Sequence, residues 1–131
     1  AEWLAGEGVR ELIVVAQDPT AYGEDWGRPG AVCELLDRLN AIEGIRWLRV
    51  LYAYPERITD EFVAAMQRNK KVVPYLDLPI QHCDDAVLKA MNRRGGRREI
   101  EQAVEKLRAG IPGLTLRTTL IAGFPGETEE Q

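Results

Sequence analysis

The sequence has few of the residues on which disulfide frameworks and cysteine-bound metals depend. Its 131 residues include two cysteines, Cys33 and Cys83, and a single histidine, His82. Two cysteines that lie far apart in the sequence encode neither a disulfide framework nor a cysteine-only metal site. We therefore expect no metal ligands in this segment and a reducing, cytoplasmic location.

Long apolar runs and an excess of basic charge are also lacking. No apolar stretch approaches the about 20 residues of a membrane-spanning helix, and the first residues do not show the basic and then apolar pattern of an export signal. The net charge is −4 and the isoelectric point is about 5.1, which argues against a chain that mainly wraps nucleic acid. Neither a membrane nor direct nucleic-acid binding is expected of this segment.

The apolar residues that are present change repeatedly between strand-like and helix-like spacing. Short apolar runs at 12–16, 47–53, 72–78 and 114–122 predict four strands, and helical spacing fills the intervals between them. This order predicts an α/β fold with a parallel sheet and right-handed crossovers. Because four strands do not close a barrel, the sheet is either a small doubly wound sheet or an arc of a larger barrel.

Local signals mark the ends of several predicted elements. Thr59 and Asp84 are predicted N-caps, and the β-branched run 12–16 is typical of a strand that is buried on both faces. The chain is predicted to begin in the tail of one helix and to stop at the start of another, over 127–131. Such ends are typical of a fragment.

The unusual polar residues follow the predicted strands, where ligands bind in parallel α/β proteins. They are, in chain order, Gln17 and Asp18, then Tyr52 and Tyr54, then Asp77, Gln81 and His82, and finally the glycine turn at 123–126. Each also has a structural interpretation: Asp18 as a turn residue, His82 as a hydrogen-bonding residue and the tyrosines as rim aromatics. Since no nucleophile and base are paired, no catalytic residue is assigned, and the residues predict a ligand-binding α/β segment.

Four strings of sequence carry a sharper signal. They are ELIVVAQDPTAYG (11–23), RVLYAYPERITDE (49–61), YLDLPIQHCDDAVLKAMNRRG (75–95) and LRTTLIAGFPGETEE (116–130). In this order and spacing they resemble the radical S-adenosylmethionine (SAM) core of the methylthiotransferases. Sister enzymes that modify tRNA adenosine typically have other residues where this chain has Gln17-Asp18-Pro19 and Gln81-His82-Cys83. The resemblance is therefore greatest to the branch that methylthiolates an aspartate of a small-subunit ribosomal protein, the S-twelve protein.

The resemblance implies a place for the chain within a larger protein. Residues 1–131 would be a fragment of the radical SAM core domain that holds strands two to five of a six-stranded partial (β/α) barrel of the TIM type. The CxxxCxxC motif of the family is not in the chain. The fragment would therefore lack the N-terminal, cluster-binding part and the C-terminal domain that recognises the substrate.

The resemblance also implies cofactors and partners. SAM and two [4Fe–4S] clusters serve the family, and the ligands of both clusters would lie outside this chain. One reduced cluster cleaves SAM to a radical that abstracts a hydrogen atom, and sulfur comes from the second cluster. The partners would be the ribosomal protein as substrate and a reductant protein.

The motifs imply eight SAM-binding residues, and none of them is a general base. Arg93 resembles the arginine that pairs with the cofactor carboxylate, and Gln81 resembles a glutamine that contacts the methionine or ribose part. The remaining positions are Gln17 and Asp18 at the amino group, Tyr52 beside them, and Thr119, Ile121 and Gly123 along ribose and adenine. Two alternatives remain: a relative of the tRNA-modifying enzymes, and a non-catalytic scaffold derived from the barrel.

Overall fold

A computed structural model describes the fold of all residues, 1–131. It is an α/β structure in which four parallel strands pair in the order β1-β2-β3-β4. The strands are β1 (Glu11–Val14), β2 (Trp47–Val50), β3 (Val72–Asp77) and β4 (Thr115–Arg117). The helices are α1 (Glu2–Gly6), α2 (Ala31–Ala41), α3 (Asp60–Arg68), α4 (Asp85–Ala90) and α5 (Arg97–Gly110).

The strand order decides between the two predicted architectures. A doubly wound sheet reverses its order at one point, and its helices cover both faces. Here each strand pairs with the next strand along the chain. One buried core joins the strands to the helices; it contains Leu48 and Leu76 from the strands and Leu36, Phe62 and Leu107 from the helices. This succession is that of a (β/α) barrel. The sheet is therefore an arc consistent with part of a radical SAM partial barrel, as predicted.

The face of the sheet that lies opposite the helices is uncovered within this chain. Ile13 and Val15 are 53% and 59% exposed, and Trp47 is 50% exposed. The prediction that the first strand is buried on both faces is therefore wrong for this chain, because its helices cover one face. No helix is both long enough and apolar enough to cross a membrane.

Both predicted N-caps are confirmed. The Thr59 hydroxyl accepts a hydrogen bond from the Phe62 amide at 3.1 Å, and one carboxylate oxygen of Asp84 accepts from the amides of Ala86 and Val87. These bonds satisfy amide groups that have no partner in the first turn of a helix. They fix the starts of α3 and α4, which follow β2 and β3.

The last quarter of the chain differs from the prediction. The predicted strand 114–122 is regular only over β4, because the Thr118 hydroxyl donates to the Leu78 carbonyl at 2.9 Å and accepts from the Ile80 amide at 3.2 Å. A side chain thus takes the place of backbone ladder bonds. One further bridge joins Gln81 to Leu120. Residues 127–131 form turns rather than the predicted helix start.

Candidate functional site

A cavity of about 270 Å³ lies at the carboxyl ends of the strands. Five of the eight residues predicted from the family resemblance line it, and these are Gln17, Tyr52, Gln81, Arg93 and Thr119. The other lining residues are Ala53, Tyr54 and Pro79. The sheet therefore brings together residues that are distant in the sequence, because the carboxyl ends of parallel strands lie at the same edge of a sheet.

Two of the lining residues have a left-handed backbone. Tyr52 has a φ of 65° and Gln81 has a φ of 67°. Residues other than glycine rarely adopt this region of backbone conformation. Long-range backbone bonds hold Gln81 there, since its amide donates to the Thr119 carbonyl at 2.9 Å and its carbonyl accepts from the Ile121 amide at 2.8 Å. Such conformations are costly and cluster at functional sites.

Arg93 supplies the positive charge of the cavity. Its guanidinium lies over the Tyr54 ring, 4.6 Å from the ring centroid, and its Nη2 donates to the Pro79 carbonyl at 3.1 Å. No carboxylate of the chain forms an ion pair with it. The guanidinium is thus held in place with most of its donors free for an anionic ligand.

The Asp18 carboxylate is already paired within the protein. It accepts from the Arg57 Nε at 2.7 Å and from the Thr20 amide at 3.1 Å. Glu24 also bonds to Arg57 and raises the pKa of that guanidinium. Asp18 lines a neighbouring cleft of about 820 Å³ that shares Arg93 with the cavity. Its side chain therefore lies beside the cavity that Gln17 lines.

Ile121 and Gly123, the other two predicted residues, lie outside the wall of the cavity. Ile121 is 43% exposed, while its amide donates a hydrogen bond to the Gln81 carbonyl. Gly123 has a φ of 77°, and a Cβ built there would meet no atom within 4 Å. The segment that contains Ile121 and Gly123 is thus joined to the cavity through the backbone of Gln81.

The sequence did not reveal two contacts at or near the cavity, although Tyr54 itself was among the predicted strand-end residues. Tyr54 supports Arg93, and no spacing rule pairs these two residues. Glu127, predicted as the start of a helix, instead turns back so that its Oε2 accepts from the Phe124 amide at 2.7 Å and its Oε1 lies 3.2 Å from the His82 Nε2. The Phe124 amide, and to a smaller extent His82, lower the pKa of the Glu127 carboxyl.

The cysteines do not form a metal site. Cys33 is buried in α2, where burial raises the pKa of its thiol, and Cys83 is exposed after β3. No group of three or more histidine, cysteine or acidic side chains is placed to hold a metal ion. The residues of this chain therefore do not fit an iron–sulfur cluster, whose ligands are several thiolates close together.

Comparison with known proteins gives one consistent result. The chain is 50% identical over 131 residues to a ribosomal protein uS12 methylthiotransferase RimO of Caldanaerobacter subterraneus, a match that covers 100% of the chain and 30% of that protein. The enzymes of the same name from Pelotomaculum thermopropionicum and Acetivibrio thermocellus are 54% and 50% identical over 99% of the chain and 29% of their own lengths. The chain thus spans less than a third of these relatives.

The family assignment rests on the whole chain. Residues 1–131 match the Radical SAM superfamily. The parallel strands in chain order and the cavity at their carboxyl ends agree with that match. The chain belongs to the Radical SAM superfamily.

Proposed function

We propose that this chain is the SAM-binding part of a methylthiotransferase of the RimO type, which adds a methylthio group to an aspartate of ribosomal protein uS12. The observation that supports this most is the identity of about half of all residues to such enzymes over essentially the whole chain. In this proposal residues 1–131 are a fragment of the radical SAM core domain. The iron–sulfur ligands and the substrate-recognition domain then belong to other parts of the protein.

The cavity fits SAM in charge and position. SAM has a carboxylate, and Arg93, which lines the cavity, is a guanidinium that forms no ion pair with an acidic residue. A planar guanidinium can donate two parallel hydrogen bonds to a carboxylate. The Tyr54 ring and the Pro79 carbonyl hold the guanidinium in one orientation, so little side-chain freedom is lost on binding.

The remaining residues would hold and enclose the cofactor. Gln17 and Gln81 offer amide groups from two different strand ends, and Tyr52 and Thr119 complete the wall. Asp18, paired with Arg57, would contribute from beside the site. Ile121 and Gly123 would contribute through their backbone, which continues from Thr119. None of these residues is a base or a nucleophile in the proposal. When bound, SAM would supply the one-electron chemistry and the methyl group, and the protein supplies orientation and exclusion of water.

The partners follow from the same proposal. In the proposal the substrate is the ribosomal protein, and a reductant protein supplies the electron for the cleavage of SAM. The test is to incubate the anaerobically reconstituted full-length protein with uS12 and, in a parallel reaction, with tRNA, each in the presence of SAM, sulfide and a reductant. We expect mass spectrometry to find one added methylthio group on an aspartate of uS12. Modification of tRNA adenosine with none on uS12 would instead support the tRNA-modifying alternative, and a reconstituted protein that modifies neither would contradict the proposal.

A paired substitution tests the left-handed backbone at Gln81. Gln81→Ala and Gln81→Gly both remove the side-chain amide, but only alanine keeps the cost of a positive φ. We therefore expect the glycine variant to be more stable than the alanine variant by about 1 kcal/mol, as measured by urea unfolding. Both variants should bind SAM equally weakly relative to the wild type. Equal stabilities of the two variants would show that residue 81 is not held in this conformation.

A further inference from the structure

Two adjacent residues, Gln81 and His82, help to hold the segment that follows β4 against the rest of the protein. The side chains of Thr118 and Gln131 form further bonds between them, to Leu78, Ile80 and Asp84. β4 ends at Arg117, and the chain from there to Glu127 has no further regular element. Gln81 holds the near end of this segment through its backbone bonds to Thr119 and Ile121. His82 holds the far end through Glu127.

The hydrogen bonds of His82 determine which ring nitrogen has the proton. The Asp84 amide donates to His82 Nδ1 at 2.9 Å, so this nitrogen is an acceptor and has no proton. The proton of the neutral ring is therefore on Nε2, which donates to Glu127 Oε1 at 3.2 Å. Both nitrogens are satisfied in a residue that is only 7% exposed.

The Glu127 carboxylate connects His82 to the turn at 123–127. One oxygen accepts from His82 and the other accepts from the Phe124 amide at 2.7 Å, while the Glu127 amide donates to the Phe124 carbonyl at 2.8 Å. The side chain of Glu127 is 15% exposed, so little water competes for these bonds. Its two oxygens thus join the turn to the loop between β3 and α4.

From this arrangement we infer that His82 is a positioning residue for SAM. It acts through Glu127 to hold the turn 123–127 and, with it, the backbone that leads back to Thr119 in the wall of the cavity. The inference rests on the proposed function and adds to it, because His82 itself does not line the cavity. Loss of the bond between His82 and Glu127 would leave the segment attached near β4 by Thr118 and Gln81. Its far end would then be held only by the exposed bond that the Gln131 Nε2 donates to the Asp84 Oδ1 at 3.1 Å.

Two substitutions at His82 separate its two hydrogen bonds. Glutamine places an amide nitrogen near the position of Nε2 and keeps the donor to Glu127, whereas asparagine places an oxygen near the position of Nδ1 and keeps only the acceptor for Asp84. In the anaerobically reconstituted full-length protein, we expect His82→Asn to weaken SAM binding about tenfold by calorimetric titration. The affinity of His82→Gln for SAM should lie within about threefold of that of the wild type, a difference smaller than the loss of one hydrogen bond.

Hydrogen exchange provides a readout that does not need the cofactor. In the SAM-free protein, the amides of Phe124 and Ile121 should exchange faster in His82→Asn and Glu127→Gln than in the wild type or in His82→Gln. The double variant His82→Asn/Glu127→Gln should bind SAM no more weakly than either single variant, because both remove the same connection. Asp37→Asn is the control, since it weakens the remote pair of Asp37 with Arg68 between α2 and α3; it should change neither readout.

The outcomes distinguish this inference from the proposed function. Failure of the wild type to bind SAM would contradict the proposed function. Normal SAM binding by the wild type and equally tight binding by His82→Asn would overturn the positioning role alone. Equal weakening by His82→Asn and His82→Gln, with unchanged exchange at Phe124, would also overturn it, because the contact with Glu127 would then not be the cause.

Discussion

Arg93→Ala should weaken the binding of SAM to the full-length protein by about ten- to a hundredfold. This is the expected cost of losing a charge-assisted hydrogen bond in a partly buried site, roughly 1.5–3 kcal/mol. The structure adds a reason for the size of the effect, because the Arg93 guanidinium is oriented by Tyr54 and Pro79 before any ligand binds. Arg93→Lys should restore little affinity, since an ammonium group lacks the two parallel donors.

Arg94 provides the matched control for this prediction. It is the next residue in the sequence and is exposed, and it lines the neighbouring cleft but not the cavity. Arg94→Ala should therefore bind SAM within about threefold of the wild type, a difference well below that of one charge-assisted bond. Calorimetric titration of both anaerobically reconstituted variants makes the comparison. Equal affinities of the two alanine variants would remove Arg93 from the site.

The largest loss of stability is expected for Gly23→Ala, in the loop between β1 and α2. Gly23 has a φ of 89°, and an added Cβ would lie 2.6 Å from the Ala31 Cβ and 2.8 Å from the Arg28 carbonyl oxygen. The left-handed backbone costs roughly 1–2 kcal/mol for a residue other than glycine, and overpacking adds about 1–3 kcal/mol. The free energy of unfolding should therefore fall by about 2–5 kcal/mol.

Gly27→Ala in the same loop separates the two causes. Gly27 also has a left-handed backbone, with a φ of 68°, but an added Cβ would meet no atom within 4 Å. It should lower the free energy of unfolding by only about 1–2 kcal/mol. Urea unfolding of both variants tests the difference, and equal losses would show that the close contact with Ala31 is not the cause. Gly23 also precedes Glu24, a partner of Arg57 beside the cavity.

Much of the fold could be predicted because its signals are local. Apolar spacing indicated the four strands and the helices between them, and Thr59 and Asp84 start α3 and α4 as single hydrogen-bonding side chains. The prediction was wrong at 118–122, because the Thr118 hydroxyl bonds across to β3. A contact of that kind depends on a neighbouring strand, so apolar spacing along one segment does not show it.

The candidate site was predictable to a smaller extent. The position of Gln81 after a strand end was suggested by the parallel order, and the family resemblance gave Gln81 and Arg93 their roles. Without the resemblance, the run of arginines that includes Arg93 favoured a solvated helix face. The stacking of Arg93 on Tyr54 and the link from His82 to Glu127 join residues that are far apart in the sequence.

The sequence by itself determined the α/β class, the order of the elements and the family, because these depend on apolar spacing and on motifs that are each contiguous. Only the tertiary structure decided that the sheet runs in unbroken order with one open face, and that five predicted residues share a cavity. It also decided that Asp18 is paired with Arg57 and that Tyr52 and Gln81 are held in left-handed conformations. The physical reason is that each of these features depends on backbone bonds or ion pairs between segments, and such contacts exist only after the strands have come together.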